Sequence, residues 1–291
     1  MCGIAGIIDL KGKENSRPSV EEMLRSISYR GPDESGIYDS PFATIGNVRL
    51  SIIDIATGRQ PLSDRSGRYW IVFNGEIFNY KELRKDLESE GHCFRTESDT
   101  EVLVELFSIH GKNCLSMLNG QFAFAVWDTR EQEVFVARDR VGIRPFFYNL
   151  RDGIFTFASE IKAIFSGKNI DRRLNPESLD QIYTFWTTIT PNTPFEGIYE
   201  LPPGHYATFG RGGFKKGKFW ELTFNGQSTL SFRDSVDRFH ELFSDAVRIR
   251  LRADVEVAAY LSGGIDSSAT VAYIKDIEPG ILHTFSIGFE E

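Results

Sequence analysis

The first seven residues, Met1 to Ile7, constrain this chain more than any other stretch, because they place a cysteine directly behind the initiator methionine. Removal of Met1 would leave Cys2 with a thiol and a free α-amine on one residue. These groups titrate near ~8.5 and ~7.7–8.0, so the amine can act as a base for the thiol. The apolar residues Ile4, Ile7 and Ile8 predict a strand that anchors this terminus. A buried, inert cysteine in that strand is the alternative interpretation.

Length and charge exclude several classes of protein. The 291 residues, 41% of them hydrophobic, suffice for two domains, or one large one, with a substantial core. A net charge of -8 gives no reason to expect nucleic acid or an anionic membrane as the main partner. No apolar run reaches the ~18 residues of a membrane helix and no signal peptide is recognisable, so we expect no membrane association and a cytoplasmic location.

The spacing of cysteines and histidines predicts neither disulfides nor a metal site. Cys2, Cys93 and Cys114 form an odd and scattered set, which favours a reducing compartment. The five histidines show no ligand-like spacing, so we expect no tightly held transition metal.

Local patterns predict alternating helices and strands in the first part of the chain. Apolar spacing predicts a helix over 19–29, with a capping box formed by Ser19 and Glu22. Short apolar runs between residues 120 and 158 predict four strands of a sheet that is covered on both sides. Further helices are predicted at about 79–90, 99–110, 160–165 and 175–186.

The dipeptide Asn74-Gly75 follows a predicted strand and is the strongest short hairpin signal in the sequence, so it predicts a type I′ turn. A second interpretation assigns the Asn74 side chain and the Gly75 N–H to an oxyanion hole, with Glu76 pairing a substrate ammonium. Neither interpretation excludes the other.

Other polar residues also have both a structural and a functional interpretation. Arg49 could bind a substrate carboxylate through its forked guanidinium, or form a structural ion pair. Asp99 could cap a helix, or act as a second carboxylate for a substrate amine. The loop over 30–36 could be a substrate lid, or a plain connection between helix and strand.

Prolines and glycines become frequent after residue 187, which indicates a domain junction. A hairpin is predicted there, with strands over 205–209 and 218–222. Ser231 then caps a long helix that reaches about Arg252. The sequence therefore predicts a first domain at 1–190, a junction at 191–230 and a second domain at 231–291.

The second domain contains a glycine-rich turn, Ser262–Ser268, between a predicted strand over 257–261 and a helix that ends near Lys275. Unpaired N–H groups and the helix dipole would both face this turn, which favours an anion. Phosphate binding is the natural inference. The turn has no lysine and lacks the spacing of a Walker P-loop, so it is a different nucleotide-binding device.

Together, these features resemble the glutamine-dependent asparagine synthetases of the asparagine synthetase B type. Several of the motifs would also fit other class II amidotransferases, whereas their combination with SGGIDSS fits this family and its close relatives. The matching motifs are MCGIAGI at 1–7, RGPDESG at 30–36, RLSIID at 49–54, FNGEIFNY at 73–80, ESDTE at 97–101, ARDRVGIRPFFY at 137–148, LPPGH at 201–205 and LSGGIDSS at 261–268.

The resemblance implies an α+β N-terminal nucleophile fold, a four-layer αββα sandwich. The start of an α/β adenine nucleotide α hydrolase domain of the PP-loop type would follow it. In the first domain, a glutamine amidotransferase (glutaminase) domain, Cys2 would attack the side-chain amide of glutamine, form a glutamyl thioester and release ammonia. In the second, an incomplete asparagine synthetase ATP-binding domain, ATP with Mg²⁺ would be bound.

Family chemistry also implies a role for each set of site residues. The glutamine-binding residues would be Arg49 with backbone groups near Ile52 for the carboxylate, Asn74 and Gly75 for the oxyanion, and Glu76 and Asp99 for the α-ammonium. The ATP-binding residues would be Leu261, Ser262, Gly263, Gly264, Asp266, Ser267, Ser268 and Ile287, with Leu261 and Ile287 near the adenosine.

The full reaction implied by the resemblance uses glutamine, aspartate and ATP. Aspartate would be activated as β-aspartyl-AMP with release of pyrophosphate, and ammonia that has crossed inside the protein would displace AMP. The chain is shorter than such synthetases usually are. The roughly sixty residues after the junction supply one βαβ unit, which alone buries too little of its two faces. We therefore predict a fragment of a longer protein, able to hydrolyse glutamine but not to make asparagine.

Two alternatives to this function remain open. The SGGIDSS motif argues against sugar and phosphoribosyl amidotransferases, but it does not distinguish aspartate from another carboxylate acceptor. A non-catalytic, truncated binding or regulatory protein is the other alternative. The sequence leaves the oligomeric state open, with a homodimer as one option.

Overall fold

The computed structural model describes residues 1–12, 15–167, 170–226 and 228–288, and the chain divides into two compact units, Met1–Leu222 and Thr223–Glu291. The strands of the first unit are β1 (Gly3–Asp9), β2 (Glu34–Asp39), β3 (Ala43–Arg49), β4 (Leu62–Ser63), β5 (Tyr69–Ile77), β6 (Gly120–Asp128), β7 (Glu133–Arg138), β8 (Phe147–Arg151), β9 (Ile154–Ala158), β10 (Ile198–Glu200), β11 (His205–Gly210) and β12 (Gly213–Lys218). Its helices are α1 (Arg17–Ser26), α2 (Tyr80–Ser89), α3 (Asp99–His110), α4 (Ile161–Gly167) and α5 (Pro176–Phe185).

The strands of the first unit form two antiparallel sheets, in the orders β10-β8-β9-β1-β3-β2 and β12-β11-β7-β6-β5-β4. One apolar cluster lies between the sheets, with Ile4 on β1 and Val72 on β5 among its members. A second packs α1 and α4 against the first sheet, and a third packs α2 and α3 against the other. These clusters make four layers, so the predicted αββα sandwich is confirmed.

Strand β1 lies inside the first sheet, between β3 and β9, and all of its residues are buried. Its alternate side chains enter two different clusters, with Ile4 facing the second sheet and Ile7 facing the helices. Burial on both faces explains why the strand is apolar from Gly3 to Ile8, before it ends at Asp9. The residue just before it, Cys2, is therefore attached to a buried interior strand of the sheet.

Helix α1 begins two residues earlier than its pattern predicted. Pro18 lies in its first turn, where the fixed φ of proline suits a helix, and Ser16 precedes the helix. The predicted capping box between Ser19 and Glu22 is wrong, because both residues already lie within the helix. Glu22 instead pairs with Arg25 on the exposed surface.

The predicted turn at Asn74-Gly75 is also wrong. Strand β5 continues through both residues, and its pairing with β6 is unbroken from Tyr69 to Ile77. A Cβ atom at Gly75 would lie 2.0 Å from the Gln121 carbonyl oxygen. The glycine thus permits a close approach between two strands instead of forming a turn.

The hairpin after the prolines belongs to the second sheet. β11 pairs with β7 as well as with β12, and the second strand of the hairpin ends at Lys218, where the sequence had placed its start. Residues up to Leu222 therefore lie within the first compact unit. The predicted junction at 191–230 thus includes strands of both sheets.

The second unit contains α6 (Phe232–Arg250), β13 (Ala258–Tyr260), α7 (Ile265–Ile277) and β14 (His283–Phe285). Ser231 caps α6 as predicted, accepting a hydrogen bond from the Asp234 N–H at 3.2 Å. β13 and β14 are parallel and α7 connects them, which confirms the predicted βαβ unit. Within the described ranges, no helix combines the length and apolar character required to cross a bilayer.

Candidate functional site

A cavity at the start of β1 gathers every residue that the sequence predicted for glutamine. These residues come from the position before β1, from β3, β5 and α3, and from the loop after β3. The predicted residues in its lining are Cys2, Arg49, Ile52, Asn74, Gly75, Glu76 and Asp99, and the others are Met1, Leu50, Ile53, Gln60, Phe73, Ser98, Thr100 and Arg144.

The thiol of Cys2 is fixed by the backbone of Leu50. The Leu50 N–H donates to the sulfur at 3.4 Å, and the thiol donates to the Leu50 carbonyl oxygen at 3.6 Å. Burial raises the pKa of the Cys2 thiol, while the Leu50 N–H, the nearby α-ammonium and Arg49 act to lower it. In this chain the free α-amine belongs to Met1, and burial lowers its pKa.

Arg49 forms the structural ion pair that was one of its two interpretations. Its Nη1 contacts Glu34 at 3.0 Å, and its Nη2 donates to the carbonyl oxygens of Ile53 and Asp54 at 2.9 and 2.7 Å. The side chain is buried and still lines the cavity. Because a guanidinium has five N–H donors, these contacts leave donors for a ligand.

The predicted loop over 30–36 is shorter in the structure, because β2 begins at Glu34, and its remaining residues connect to that strand, which was the plainer of its two interpretations. The Asp33 N–H donates to the Arg49 carbonyl oxygen at 3.1 Å, and its carboxylate accepts from the Ser51 N–H at 2.8 Å. At the start of the loop, Arg30 donates from Nε to the Cys2 carbonyl oxygen at 2.9 Å. The loop therefore holds the end of β3 and the backbone of Cys2 in place.

Strand β5 presents an N–H group to the cavity at Gly75. On the free edge of the strand, the Phe73 N–H donates to the Gln60 side chain at 2.7 Å and the Ile77 N–H donates to Asp99 at 3.0 Å. Alternate residues of a strand direct their N–H groups to the same edge, so the Gly75 N–H faces the cavity between these two contacts. An N–H group in this position can donate a hydrogen bond to an oxygen atom that becomes negatively charged in the cavity.

The Asn74 side chain supplies a second polar group beside this N–H. It is 1% exposed and lines the cavity. Among the described residues, neither its amide nitrogen nor its amide oxygen has a hydrogen-bond partner. Because buried polar groups are nearly always hydrogen-bonded, this amide has hydrogen-bonding capacity that a ligand in the cavity could use.

Asp99 is not the cap of α3, since Ser98 holds that position and accepts from the Thr100 N–H at 3.1 Å. Burial, together with the neighbouring Glu76 carboxylate, raises the pKa of Asp99 to about 7, against the opposing effect of the Ile77 N–H. Two carboxylates that line one cavity favour a cation between them.

Sequence reasoning missed four polar residues of this cavity, Gln60, Ser98, Thr100 and Arg144. Gln60 accepts from Phe73 on β5 and donates from Nε2 to the Thr100 hydroxyl at 3.2 Å, so it links β5 to α3. No local pattern identifies it. Arg144 lies in the ARDRVGIRPFFY segment, and its charge within the otherwise apolar residues 141–148 was the available signal.

The predicted nucleotide-binding residues lie at the carboxyl ends of β13 and β14, where ligands of parallel sheets usually bind. The Leu261 N–H donates to the Phe285 carbonyl oxygen at 2.9 Å, which places the two strand ends side by side. Ile287 follows β14 and is exposed. Leu261 and Ile287 thus flank the same end of this sheet.

The turn after β13 has the backbone that a phosphate site requires. Gly263 has a φ of 83°, a value that favours glycine, and Gly264 is the N-cap residue of α7. The Ser267 hydroxyl accepts from the Ser262 N–H at 3.3 Å and donates to the Gly264 carbonyl oxygen at 3.0 Å. These bonds order the turn, while Asp266 and Ser268 lie exposed in the first turn of the helix.

Known proteins resemble this chain in two segments. Residues 1–220 match the glutamine amidotransferase domain family and residues 238–291 match the asparagine synthase family. Glutamine-hydrolyzing asparagine synthetase 3 of Bacillus subtilis is 40% identical over 100% of this chain and 48% of its own length. Putative glutamine-hydrolyzing asparagine synthetase 2 of Methanocaldococcus jannaschii is 34% identical over 100% of this chain and 60% of its own length.

A fungal relative and a solved structure extend this comparison. Amidase chry2 of Gibberella zeae is 35% identical over 95% of the chain and 43% of its own length. The glutamine phosphoribosylpyrophosphate amidotransferase of Bacillus subtilis has a TM-score of 0.55 at 22% identity, over 98% of this chain and 65% of that one, and therefore shares the fold. The chain spans about half the length of the curated relatives it matches. The match over residues 1–220 shows that this chain belongs to the glutamine amidotransferase family, as its sequence motifs predicted.

Proposed function

We propose that this chain carries the glutaminase half of a glutamine-dependent asparagine synthetase, together with the start of its ATP-binding half. The observation that carries the proposal is one cavity in which Cys2, the unpartnered Asn74 amide and the carboxylates of Glu76 and Asp99 converge. The thiol and the amide donor suit the reacting side-chain amide of glutamine, and the two carboxylates suit its α-ammonium.

The reaction begins after Met1 is removed. The new α-amine accepts the thiol proton, and the Cys2 sulfur attacks the side-chain amide carbon of glutamine. The new C–S bond leaves negative charge on the amide oxygen, where the Asn74 side chain and the Gly75 N–H donate hydrogen bonds. When the C–N bond breaks, the nitrogen takes the proton from the α-ammonium and leaves as ammonia. Water then hydrolyses the thioester to glutamate and regenerates the thiol.

The remaining cavity residues hold the amino-acid end of glutamine. Glu76 and Asp99 take the α-ammonium, which favours the ionised form of Asp99 once the substrate is bound. Arg49 binds the α-carboxylate through the donors that Glu34 and the carbonyl oxygens leave, and the backbone near Ile52 completes the contact. The substrate is thereby fixed at both charged groups, with its amide directed at the thiol.

The second unit fits the phosphates of ATP with Mg²⁺. The φ of Gly263 and the position of Gly264 before α7 present the backbone N–H groups of the first helical turn to an anion. Leu261 and Ile287 lie near the adenosine at the ends of their strands. In the whole synthetase, ATP supplies the activation of aspartate as an adenylate, and ammonia converts that adenylate to asparagine and AMP.

The test is ammonia release from glutamine by the purified chain, with ATP and aspartate added or omitted. We expect ammonia in both conditions, without asparagine or AMP, and an intact mass that shows the loss of Met1. The Cys2→Ala variant is the matched control and should release none. A processed chain that releases no ammonia contradicts the glutaminase, and asparagine formation contradicts the assignment of only one active half.

A second candidate is an amidotransferase for a different carboxylate acceptor. The similarity to fungal proteins named amidases, at 34–35% identity, favours it. Both candidates share the glutaminase, so the assay must address the acceptor. Pyrophosphate release from ATP with aspartate, compared with other carboxylic acids, separates them in the full-length protein.

A further inference from the structure

The loop between β7 and β8 is held rigidly and carries Arg144 into the cavity. The carboxylate at its start, Asp139, is fully buried. Its oxygens accept from the backbone N–H groups of Phe122, Val141, Ile143 and Arg144 at distances of 3.0–3.2 Å. Arg138 also donates to the Arg144 carbonyl oxygen at 2.7 Å. These bonds fix the backbone position from which the Arg144 side chain extends into the cavity.

The guanidinium of Arg144 lies at the nucleophile end of the cavity. Its Nη1 is 2.6 Å from the Met1 sulfur, and Met1 directly precedes Cys2. Its Nε is buried and has no hydrogen-bond partner among the described residues. Removal of Met1 would therefore free a second donor of Arg144 beside the new N-terminus.

Arg144 differs from the two other arginines near Cys2. Arg30 forms an ion pair with Glu160 at 2.9 Å, and Arg49 forms one with Glu34 at 3.0 Å. In the part of the chain that the structure describes, Arg144 has no such acidic partner within ion-pair distance. Burial lowers the pKa of Arg144, whereas negative charge on Glu76 and on the Cys2 sulfur raises it. The charge of Arg144 is thus available to the reacting groups.

We propose that Arg144 is a positioning residue of the glutaminase reaction, whose guanidinium stabilises negative charge on the Cys2 sulfur before the sulfur attacks the amide. This inference rests on the proposed function, because it takes Cys2 as the nucleophile. The charged groups that act on the sulfur are the α-ammonium, Arg49, Asp99 and Arg144. Glu76 lines the same cavity, and Arg30 donates to the Cys2 carbonyl oxygen. Loss of Arg144 leaves the Asp99 carboxylate opposed by the α-ammonium and by Arg49, which is already paired with Glu34.

The test measures the rate at which iodoacetamide alkylates Cys2 in the processed chain, from about pH 6 to about pH 10. Mass spectrometry of the N-terminal peptide reads Cys2 separately from the exposed Cys93. In Arg144→Gln we expect the rate near neutral pH to fall about tenfold, with the curve displaced to higher pH, because fewer thiols are ionised. Arg144→Lys should restore most of the rate.

Arg140→Gln is the matched control, because it removes one positive charge from the same loop outside the cavity lining. Its Cys2 alkylation rate should depend on pH as that of the parent does. An Arg144→Gln curve that coincides with the parent overturns the proposal and leaves Arg144 a structural role. Should Arg144→Gln fail to fold, Arg144→Met keeps the apolar stem without the charge and gives the same comparison.

Alkylation requires no glutamine turnover, so the failure of this inference is distinct from failure of the proposed function. Ammonia release that persists in Cys2→Ala would contradict the nucleophile itself. Where Cys2 is the nucleophile, Arg144→Gln should lower kcat by about the factor seen in alkylation and change KM less, because the charge acts on the sulfur.

Discussion

Replacement of Asp99 by asparagine should make this protein more stable at neutral pH while it weakens glutamine binding. An asparagine oxygen can still accept the Ile77 N–H bond, which is 3.0 Å long in the structure, but it cannot carry a charge. Asp99 is 5% exposed, so its ionisation must take place in an environment almost without water. The substitution removes that unfavourable ionisation and little else.

The size and sign of the effect follow from the pKa of Asp99, which is raised from 3.8 to about 7. Between these values the native state holds a proton that the unfolded state has lost, so stability falls as pH rises. Each pH unit costs about 1.4 kcal/mol, hence about 3 kcal/mol from roughly pH 5 to pH 7. Above the native pKa the loss is complete and stays constant. Asp99→Asn lacks this dependence.

Urea denaturation of both proteins, followed by circular dichroism at a series of pH values, measures the difference. The stability of Asp99→Asn relative to the parent should increase by about 3 kcal/mol from roughly pH 5 to pH 8. Asp86→Asn, at an exposed carboxylate on α2, serves as the control and should run parallel to the parent. Parallel curves for Asp99→Asn as well would refute the reasoning, since they would mean that Asp99 ionises as easily in the fold as in water.

Cys2→Ala should abolish ammonia release and leave the thermal midpoint close to that of the parent; residual glutaminase activity would contradict the assignment. Arg49→Ala should raise the KM for glutamine by a factor that corresponds to roughly 1.5–3 kcal/mol, the worth of a charge-assisted contact, and an unchanged KM would make the residue purely structural. Gly75→Ala should prevent or severely destabilise folding, because the added atom would lie 2.0 Å from the Gln121 carbonyl oxygen; a normal melting curve would show that β5 and β6 can separate. In the parent, the KM for glutamine should rise as pH falls below about 7, since protonated Asp99 no longer attracts an ammonium; a flat KM down to about pH 5.5 would contradict this.

The fold was predictable where a local signal and the tertiary structure agree. Helix α3 has the predicted bounds, because Asp99 follows a serine cap and Gly111 ends the helix with a positive φ of 53°. The predicted turn at Asn74-Gly75 is wrong because it was inferred from the turn preference of two residues alone. In the structure, all of β5 pairs with β6. Such long-range pairing has no local trace in the sequence.

The site residues also divide into those that a local motif predicts and those that depend on the tertiary structure. Cys2, Arg49 and the residues around Asn74 lie in short segments that can be matched as motifs, and the structure brings them to one cavity. Gln60 is polar, isolated in sequence and identified by no pattern. Its role in linking β5 to α3 exists only once the second sheet has formed. Arg144 likewise depends on a loop that a buried carboxylate holds in place.

The enclosed position of β1 determines how this protein can be handled in the laboratory. The chain enters the buried strand at Gly3, so hardly any backbone separates the reactive residue from the core. An affinity tag fused ahead of Met1 would begin at the substrate cavity, because Met1 is 57% exposed and lines that cavity. Such a fusion would both block the methionine aminopeptidase and obstruct glutamine. Purification should therefore use a tag at the other end of the chain or a leader that is cleaved to expose Cys2.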